Sequence, residues 1–317
     1  MKAAPNTSQV SVVAVIVHYG APAATTDLAN HLRTTLTKVV IVANDGRPRP
    51  GRLADDVKWL IPERNLGFGG AVNWVVRNVF GDVYLVLNPD VLITPEAVRS
   101  CLTWFEDEQV GVVAPTLLKL GDAQSAIGTL AKFTRWPRQS KARPKPNGGS
   151  EATWVTGAAM FVRRSVLEGL GFEGTYFLIF EDVDLCLRAG RAGWRIVCTG
   201  DTVEHPQQKG HSLVGGMSEY YIVRNYLWFA HRNFGVFAFA VACLGGGILT
   251  LRGLVAALAR GRNLESFRLR VAGLRAGLRP PPPRSSEPVS GEPVARFLTS
   301  WRGDFRPPEV NRRAPRG

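Results

Sequence analysis

The sequence predicts an α/β protein with a mixed, mostly parallel sheet flanked by helices, followed by a C-terminal helical segment. Three observations point to this class. The chain has 317 residues, enough for one large domain with an appendage. Runs rich in Val and Ile alternate with helical patterns over the first 120 residues, and those runs are continuously apolar. Such strands are buried on both faces, as in a parallel sheet between helices.

The predicted elements follow in order along the chain. Strands are expected at residues 10–19, 38–44, 57–61, 83–87 and 110–118, with helices between them at 25–36, 70–79 and 95–106. Thr94 and Pro95 mark the start of the last helix, because Thr is a good N-cap and Pro suits the first turn. Later in the chain we expect a strand at 154–162, helices at 165–169 and 182–192, and strand-like pieces at 195–198 and 202–203.

Residues 121–151 are polar and basic, without a sustained period. We interpret them as a mobile loop that closes over substrate, and an insertion without that role fits the pattern equally well. The four cysteines are widely spaced and include no CxxC pair, so neither a zinc cluster nor a disulfide framework is indicated. The N-terminus has no signal-peptide pattern, which predicts that the chain is not secreted.

Positive charge is concentrated at the C-terminal end. The formal net charge is +13, and from Arg252 onward 14 Arg stand against five acidic residues, which accounts for about +9 of it. An Arg-rich segment beside an apolar one suits an anionic membrane surface. We expect no nucleic-acid partner, because the tail carries no recognisable nucleic-acid module. Residues 280–317 are rich in Pro and Arg, which predicts a disordered tail.

Residues 234–251 form an uncharged stretch barely long enough to span a membrane, interrupted at Gly245 to Gly247. A single crossing would place the Arg-rich tail on the far side, against the positive-inside tendency. We therefore predict a re-entrant or interfacial helix pair, with residues 260–279 as a basic amphipathic helix on the membrane. A buried core helix is the alternative.

Polar residues follow the predicted strands at their carboxyl ends, where sheets of this class bind ligands. These residues are His18 and Tyr19, Asn44 and Asp45, Glu63 to Asn65, and Asn88 and Asp90. We expect them to converge on one polar site. Asp90, just past a buried strand, suits a hard divalent cation, although Asn-Pro-Asp also forms ordinary turns.

Residues 64–73, RNLGFGGAVN, form a Gly-rich turn that opens a helix. Glycines let backbone amides approach a phosphate or a base, while Arg64 and Asn73 add charge and hydrogen bonds. The pattern does not match GxGxxG with a later acid, so a dinucleotide oxidoreductase is poorly supported. A tight strand-to-helix connection would explain the same residues.

An acidic cluster ends the aromatic stretch FEGTYFLIFEDVD at residues 172–184. Glu181 and Asp182 are candidates for proton transfer in a cleft with an apolar wall, whereas an i,i+4 pair with Arg188 accounts for Asp184. Further along lies His205. A lone His is more often structural, but a nearby cation would make it a ligand, particularly for Mn²⁺.

Together these motifs resemble a known family. The sequences VIVHY, VANDG, RNLGFGGAVN, LNPDV, GAAMFVRR, the block at 172–194 and VEHPQQKGHS look like the successive motifs of family 2 glycosyltransferases with the GT-A fold. The closest likeness is to the bacterial rhamnosyltransferase-like group, over residues 10–233. The resemblance implies a Rossmann-like GT-A domain and an inverting, metal-dependent transfer of a sugar, with rhamnose a candidate. It implies a dTDP- or UDP-linked donor and a cell-envelope glycan or polyprenyl-linked acceptor.

The resemblance also implies roles for single residues. Asp90 and His205 would bind Mg²⁺ or Mn²⁺, and Asp182 would be the general base, with Glu181 beside it at the acceptor. The donor-binding residues would be His18, Asn44, Asp45, Arg64, Asn65, Gly67, Asn73, Asn88 and Arg224.

This chain departs from the family pattern at two places. The family usually reads Phe-Asp-Glu where the chain has Phe172, Glu173 and Gly174, and Arg47 replaces the common Ser after the Asp-Gly turn. Because of these two departures, the resemblance does not identify the nucleotide base or the sugar of the donor.

We therefore expect a catalytic domain at 1–233, a membrane-associated helical segment at 234–279 and the tail at 280–317, on the cytoplasmic face of a bacterial plasma membrane. Two other classes stay open. A sugar nucleotidyltransferase would hold its phosphate loop nearer the N-terminus, and a catalytically silent nucleotide-sugar-binding protein would not need Asp90, Asp182 and His205 together.

Overall fold

The computed structural model describes residues 10–119, 122–123, 127–129, 138–140, 148–205, 217–259 and 264–287. The strands in these ranges are β1 Val12–His18, β2 Lys38–Ala43, β3 Lys58–Leu60, β4 Val83–Leu87, β5 Val110–Lys119, β6 Asp122–Ala123, β7 Ile127–Thr129, β8 Arg138–Ser140, β9 Gly149–Glu151, β10 Ala159–Arg163 and β11 Arg195–Glu204. The α-helices are α1 Pro22–Leu32, α2 Gly67–Asn78, α3 Pro95–Thr103, α4 Arg164–Gly169, α5 Glu181–Arg191, α6 Met217–Ala259 and α7 Glu265–Gly277. Most of the predicted loop at 121–151, and the tail beyond 287, lie outside the described residues.

The large sheet is mixed, as predicted. Its strands run in the order β3-β2-β1-β4-β10-β5-β11-β9, and β6 adds to β5. The first four of these strands, and the β5/β11 pair, are parallel, whereas β10 is antiparallel to both of its neighbours. The carboxyl ends of β1, β2 and β4 therefore lie at one edge, where the ligand site of such a sheet is expected.

Strand β1 shows why the apolar runs are continuous. Val13 and Val15 pack into the core on one face of the sheet, with α2 and α5, while Ala14 and Ile16 pack into the core on the other face, with α1 and α3. Because both faces are covered, neither set of alternate side chains is left in water. This two-sided burial is what the Val and Ile composition of the strand predicted.

Several predicted boundaries need correction. Helix α1 begins at Pro22 and ends at Leu32, and residues 104–106 form a 3-10 turn after α3. Residues 154–158, predicted as strand, precede β10, and the two pieces expected at 195–204 are one strand with a register shift. The predicted cap of α3 is confirmed, since Thr94 Oγ1 accepts from the Ala97 amide at 3.2 Å, an interaction that contributes about 1 kcal/mol.

Helix α6 reverses direction at Gly235, whose φ of 81° and ψ of −173° are not helical. Leu227 and Gly246 would be about 28 Å apart in a straight helix. Instead, a Cβ on Gly246 would lie 3.1 Å from Leu227 Cδ1, and the rings of His231 and Phe239 are 5.2 Å apart. The element is therefore an antiparallel pair with a first arm at 217–234 and a second arm at 236–259.

Helix α7 packs against both arms and completes a three-helix unit. Its Arg270 donates to Glu219 of the first arm at 2.7 Å and to the Leu249 carbonyl of the second at 2.8 Å. A Cβ on Gly273 would lie 2.4 Å from the Tyr220 carbonyl oxygen, so a glycine is needed where α7 crosses the first arm. The helix pair that we predicted is present, and α7 begins five residues later than the predicted segment at 260–279.

The outer face of the second arm is an apolar stripe. Its members are spaced by three, four or seven residues and each is more than half exposed: Phe237, Leu244, Ile248, Leu251, Val255 and Leu258. Within the described residues, Met217–Val255 is the helix that is long and apolar enough to cross a membrane by length and composition, and 17% of its most apolar window is buried. The alternative of a buried core helix is therefore wrong.

Residues 280–287, which we expected to be disordered, lie across the domain that contains the large sheet. Ser285 accepts from the Gly174 amide at 2.7 Å, and the Pro282 carbonyl accepts from Arg232 at 2.6 Å. We expected disorder because this segment contains four successive prolines, but hydrogen bonds of its backbone and contacts of its charged side chains hold these residues in place. We call residues 280–287 the strap.

Candidate active site

A cleft opens between the end of β4, the turn before β10 and the start of α5. It has a volume of about 470 Å³ and is lined by Phe68, Asn88, Trp154, Thr156 to Ala158 and Leu178 to Val183. One wall is aromatic and aliphatic, and the other carries the carboxyl groups of Glu181 and Asp182. The acidic cluster singled out in the sequence therefore does line a cleft with one apolar side.

Asp182 is held in this cleft by backbone amides. Its Oδ2 accepts from the Gly157 amide at 2.8 Å and its Oδ1 from the Val183 amide at 2.7 Å. Burial raises the pKa of Asp182 above its usual value, whereas these hydrogen bonds oppose the shift because they stabilise the charged form. The result is a fixed carboxylate with increased basicity, which suits a general base.

Glu181 is more deeply buried than its neighbour. Burial, followed by the negative charge of Asp182, raises the pKa of Glu181 to about 8, and its Oε2 makes no hydrogen bond in the described residues. The carboxyl is therefore largely protonated at neutral pH and is able to donate a hydrogen bond. The two adjacent acids thus differ in their surroundings: backbone amides oppose the rise in the pKa of Asp182, whereas the charge of Asp182 adds to the rise in the pKa of Glu181.

The aromatic stretch before α5 is a strained loop. Phe177, Ile179 and Phe180 have φ of 65°, 67° and 82°, a region that non-glycine residues rarely adopt and that costs about 1–3 kcal/mol per residue. Asn225 of the first arm donates to the carbonyls of Leu178 and Ile179 at 2.7 Å each, which holds the loop in this conformation. The strain lies directly before the carboxyl groups of the cleft.

The predicted role of Arg224 is corrected by this arrangement. Its side chain is buried, donates to the carbonyls of Thr175 and Tyr176, and lies 4.3 Å from the Trp228 ring. A guanidinium enclosed in this way does not reach a diphosphate. Together with Asn225, it supports the strained loop from behind.

Asp90 and His205 come together at the ends of neighbouring elements, as predicted. Asp90 Oδ1 lies 3.2 Å from His205 Nε2, and the Nε2 atom is buried without a well-aligned hydrogen-bond partner. A carboxylate oxygen and an imidazole nitrogen suit Mn²⁺ or Mg²⁺, whose remaining ligands would come from water or substrate oxygens. No group of three His, Cys, Asp or Glu side chains forms a metal site within the described ranges.

Asp45 lies at the end of β2, in contact with both β1 and its own turn. Its Oδ2 accepts from the Gly20 amide at 2.8 Å and lies 3.2 Å from Arg47 Nε. His18 is fully buried beneath it, with Nδ1 2.7 Å from Thr25 Oγ1. His18 therefore supports Asp45 and does not itself face a ligand, which corrects its predicted role, and burial lowers the pKa of this imidazole.

Asn44 holds the Gly-rich turn in place. Its Nδ2 donates to the Gly67 carbonyl at 2.9 Å and its Oδ1 accepts from the Leu66 amide at 3.1 Å. Asn65 Oδ1 accepts from the Gly67 amide at 2.9 Å. Because both oxygen and amide groups of Asn44 are used within the protein, this side chain positions the turn and is not free to bind a base.

Two other predicted donor residues contact the strap or the core. Asn73 is buried and donates to the carbonyls of Phe172 and Ser286 at 2.8 Å each. The half-exposed Arg64 pairs with Glu287 at 3.3 Å. Asn73 is structural, whereas Arg64 lies on the protein surface with a carboxylate as its present partner.

Sequence reasoning missed three features of the cleft. Trp154 and Thr156 line it, and the Gly157 amide binds Asp182. We did not expect these features because residues 154–162 were predicted as one strand. In a strand, the Gly157 amide would pair with a neighbouring strand and would not be available to Asp182. The small Gly157 just before an apolar strand was the available indication of a turn.

Comparison with known proteins identifies the family. A family model described as "Glycosyltransferase like family 2" matches residues 11–233. The chain belongs to this family. The predicted GT-A fold agrees with solved structures such as GalNAc-T7, with a TM-score of 0.54, 13% identity and coverage of 73% of this chain and 50% of that one. The mannosyltransferase PcManGT of Pyrobaculum calidifontis gives a TM-score of 0.50 at 14% identity, covering 86% and 88% of the two chains.

Curated relatives of this family 2 glycosyltransferase have low identity. The N-acetylglucosaminyl-diphospho-decaprenol L-rhamnosyltransferase of Mycobacterium tuberculosis is 28% identical over 206 residues, which cover 54% of this chain and 65% of the relative. A hexosyltransferase of low-salt glycan biosynthesis from Haloferax volcanii is 24% identical over 147 residues, covering 43% of this chain and 47% of the relative. The chain thus spans about half to two thirds of the length of these proteins.

Proposed function

We propose that this family 2 glycosyltransferase moves a sugar from a nucleotide-sugar donor to an acceptor hydroxyl with inversion, using Asp182 as the general base. The observation that carries the proposal is the placement of Asp182. Its carboxylate lines the cleft, is fixed by the Gly157 amide at 2.8 Å, and has a pKa raised by burial. A base in a fixed position near the reacting hydroxyl is what an inverting transfer requires.

In this reaction the acceptor oxygen attacks the anomeric carbon while Asp182 takes its proton. The bond between the anomeric carbon and the donor phosphate oxygen breaks on the opposite face, and the nucleoside diphosphate leaves with the electron pair. The transition state has oxocarbenium character, as in other reactions at an anomeric carbon. Protonated Glu181 would donate a hydrogen bond at the acceptor side, and the aromatic wall of the cleft would exclude water from the sugar.

Asp90 and His205 are the residues that would hold a divalent cation. When bound, the cation would neutralise the charge that develops on the departing diphosphate. The solved structures of GalNAc-T7 and of the Pyrobaculum mannosyltransferase contain Mn²⁺, which supports the same cofactor here. The 3.2 Å separation of the Asp90 oxygen from the His205 nitrogen supports the proposal, since one ion could contact both atoms.

For the donor we propose a dTDP- or UDP-linked sugar, with rhamnose as the first candidate. The Mycobacterium relative is an L-rhamnosyltransferase by name, and TarS of Staphylococcus aureus, with a TM-score of 0.50, was solved with UDP-GlcNAc. On this chain, Asp45 and Asn65 would contact the nucleoside, Arg64 the diphosphate side and Asn88 the sugar. The neighbouring Arg47, 3.2 Å from Asp45, would adjust the choice of base.

For the acceptor we propose a polyprenyl-linked or cell-envelope glycan at the cytoplasmic face of a bacterial plasma membrane. The apolar stripe on the second arm would lie in the lipid interface, since each of its members is more than half exposed. The Arg residues of the C-terminal part would add attraction to anionic lipids. The Mycobacterium relative carries a diphospho-decaprenol acceptor in its name.

The decisive experiment incubates the purified full-length chain with a panel of nucleotide sugars, with and without Mn²⁺, and measures nucleotide release and product formation. We expect one donor class to support metal-dependent release. Asp182→Asn should reduce turnover at least about 1,000-fold, near the upper range for loss of a general base, while it leaves donor binding within about twofold. Asp55→Asn, which removes an exposed carboxylate far from the cleft, is the matched control. Full activity in the Asp182 variant would refute the assignment.

A further inference from the structure

The strap at residues 280–287 joins the catalytic domain through a charge that enters the core. Arg284 Nη1 lies 2.9 Å from Asp184 Oδ2 and 3.4 Å from Glu173 Oε2. Both carboxylates are buried, with Asp184 fully enclosed. Burial of two carboxylates is costly unless cations and hydrogen bonds compensate them.

The catalytic domain supplies only part of that compensation. Asp184 accepts hydrogen bonds from Arg188 Nε of its own helix at 2.6 Å, from the Tyr176 hydroxyl at 3.3 Å and from the Asn233 side-chain amide at 3.0 Å. Nearby Glu173 accepts from the Thr175 amide at 3.2 Å and from the Thr175 hydroxyl at 2.7 Å, both on Oε1, and it lies 3.8 Å from Arg232. Arg284 contacts both carboxylates, and within the described contacts it links the two ends of the strained loop.

Backbone contacts dock the strap in the same place. Ser285 donates its amide to Glu173 Oε1 at 3.1 Å and accepts from the Gly174 amide at 2.7 Å. A Cβ on Gly174 would lie only 2.6 Å from the Glu287 carbonyl carbon, so the strap passes directly over this glycine. The fit is specific, since any larger residue at 174 would displace it.

The position of these contacts relates the strap to the chemistry of the cleft. Glu173 and Asp184 lie on either side of the strained loop, and Asp184 shares the first turn of α5 with Asp182. A link between Glu173 and Asp184 therefore fixes both the loop and the helix start that carries the proposed base. Loss of this link would let the loop relax from its positive φ values and would displace Asp182.

We propose that Arg284 is a positioning residue for glycosyl transfer: it closes the Glu173–Asp184 pair and thereby holds Asp182 and the aromatic loop in their active geometry. This inference rests on the proposed function of Asp182. It assigns a catalytic requirement to a Pro-rich segment that lies outside the family-matched residues 11–233.

The test compares full-length Arg284→Ala and Arg284→Lys with the wild type. Arg99→Ala, which removes an exposed Arg from α3, is the control. We expect Arg284→Ala to lower kcat by about 10- to 100-fold, the range for a displacement near 1 Å, with KM for the donor changed less than about threefold. Arg284→Lys should recover part of kcat, since an ammonium supplies the charge but not the two-pronged contact. Arg99→Ala should retain kcat.

Hydrogen-exchange mass spectrometry gives a readout that does not depend on activity. Arg284→Ala should exchange faster in peptides that cover 173–184, while peptides from β1 and β4 stay at wild-type rates. The proposal is overturned if kcat is unchanged, if the Lys variant loses as much as the Ala variant, or if exchange rises throughout the protein. If the wild type transfers no sugar from any donor, the proposed function fails, yet faster exchange confined to 173–184 would still establish the link made by Arg284.

Discussion

The backbone amide of Phe68 donates to the carbonyl of Phe177 at 2.8 Å. This bond joins the Gly-rich turn to the strained aromatic loop, and Gly67 precedes it with a φ of 68°. A Cβ on Gly67 would lie 2.3 Å from the Phe177 carbonyl oxygen. The glycine that the sequence suggested as a phosphate contact is therefore required for close approach of two loops.

Gly67→Ala should destabilise the protein and impair the cleft together. Positive φ and a backbone clash both oppose the new Cβ, so we expect a loss of about 2 kcal/mol or more in the free energy of unfolding. Urea denaturation measures the loss, and kcat should fall with it. Gly51→Ala is the control, since nothing lies within 4 Å of a Cβ there. Equal stability of the two variants would contradict the packing argument.

Glu181 should make stability depend on pH. Its pKa in the folded state, about 8, exceeds the usual value of 4.5, so the folded state binds more protons than the unfolded one. Wild-type stability should therefore fall as pH rises from about 4.5 through 8. Glu181→Gln removes this penalty, and its stability relative to wild type should increase on the order of 2 kcal/mol between pH 5 and pH 9. Denaturant curves at pH 5, 7 and 9 measure the free energy of unfolding, and Glu63→Gln is the control at an exposed position. If the stability of Glu181→Gln and of the wild type changed equally with pH, Glu181 would be excluded as the source of the pH dependence.

Removal of His205 should weaken metal binding. We expect His205→Ala to raise the Mn²⁺ concentration needed for half-maximal turnover by at least about tenfold, the lower range for a disturbed metal site. Titration followed by Mn²⁺ electron paramagnetic resonance measures binding without relying on turnover. His231→Ala, on the first arm of α6, is the control. Wild-type activity that is indifferent to chelator would rule out the cation at Asp90 and His205.

Loss of the Glu287 carboxylate should free Arg64 for the donor. Glu287 lies 3.3 Å from Arg64 and 3.5 Å from Arg77, and it is the partner that a donor phosphate would have to displace. Glu287→Gln should therefore lower KM for the donor by about two- to fivefold, in keeping with an exposed ion pair of up to about 1 kcal/mol. Steady-state kinetics measures the change, and Glu96→Gln, which breaks an exposed pair on α3, is the control. A higher KM would show that Glu287 assists binding.

The sequence predicted the sheet well because burial on two faces leaves an unambiguous pattern. Strand β4 matches its predicted bounds, and β1 differs by two residues at its start and one at its end. The turn at 154–158 was missed because apolar residues on both sides of Gly157 read as one strand. Local sequence patterns predict which side chains are buried, but they do not reveal which backbone amides lack a hydrogen-bond partner in a neighbouring strand.

The candidate site shows the same limit for side chains. Asp182 lines the cleft from the first turn of α5. Asp90 and His205 meet because the segment that follows β4 pairs with the end of β11 through Leu92 and Glu204. Arg224 was misjudged, since sequence does not distinguish a guanidinium that faces a ligand from one that donates to buried carbonyls. Nothing in the sequence indicated a role for Arg284. Its partners, Glu173 and Asp184, are 111 and 100 residues away along the chain, and composition carries no information about such distant charges.

The reversal at Gly235 decides where the two ends of α6 lie relative to each other. The first arm packs on the catalytic domain up to Asn233, which contacts Asp184 and Arg191 of α5, and the second arm runs back along the first. Residues 217 and 259 therefore lie at the same end of the helix pair. On the membrane association proposed above, the apolar stripe of the second arm would lie in one leaflet, which removes the conflict between an Arg-rich C-terminus and a single crossing. The strap that begins at residue 280, which contacts Glu173 and Gly174, would then lie on the same side of that membrane as the cleft.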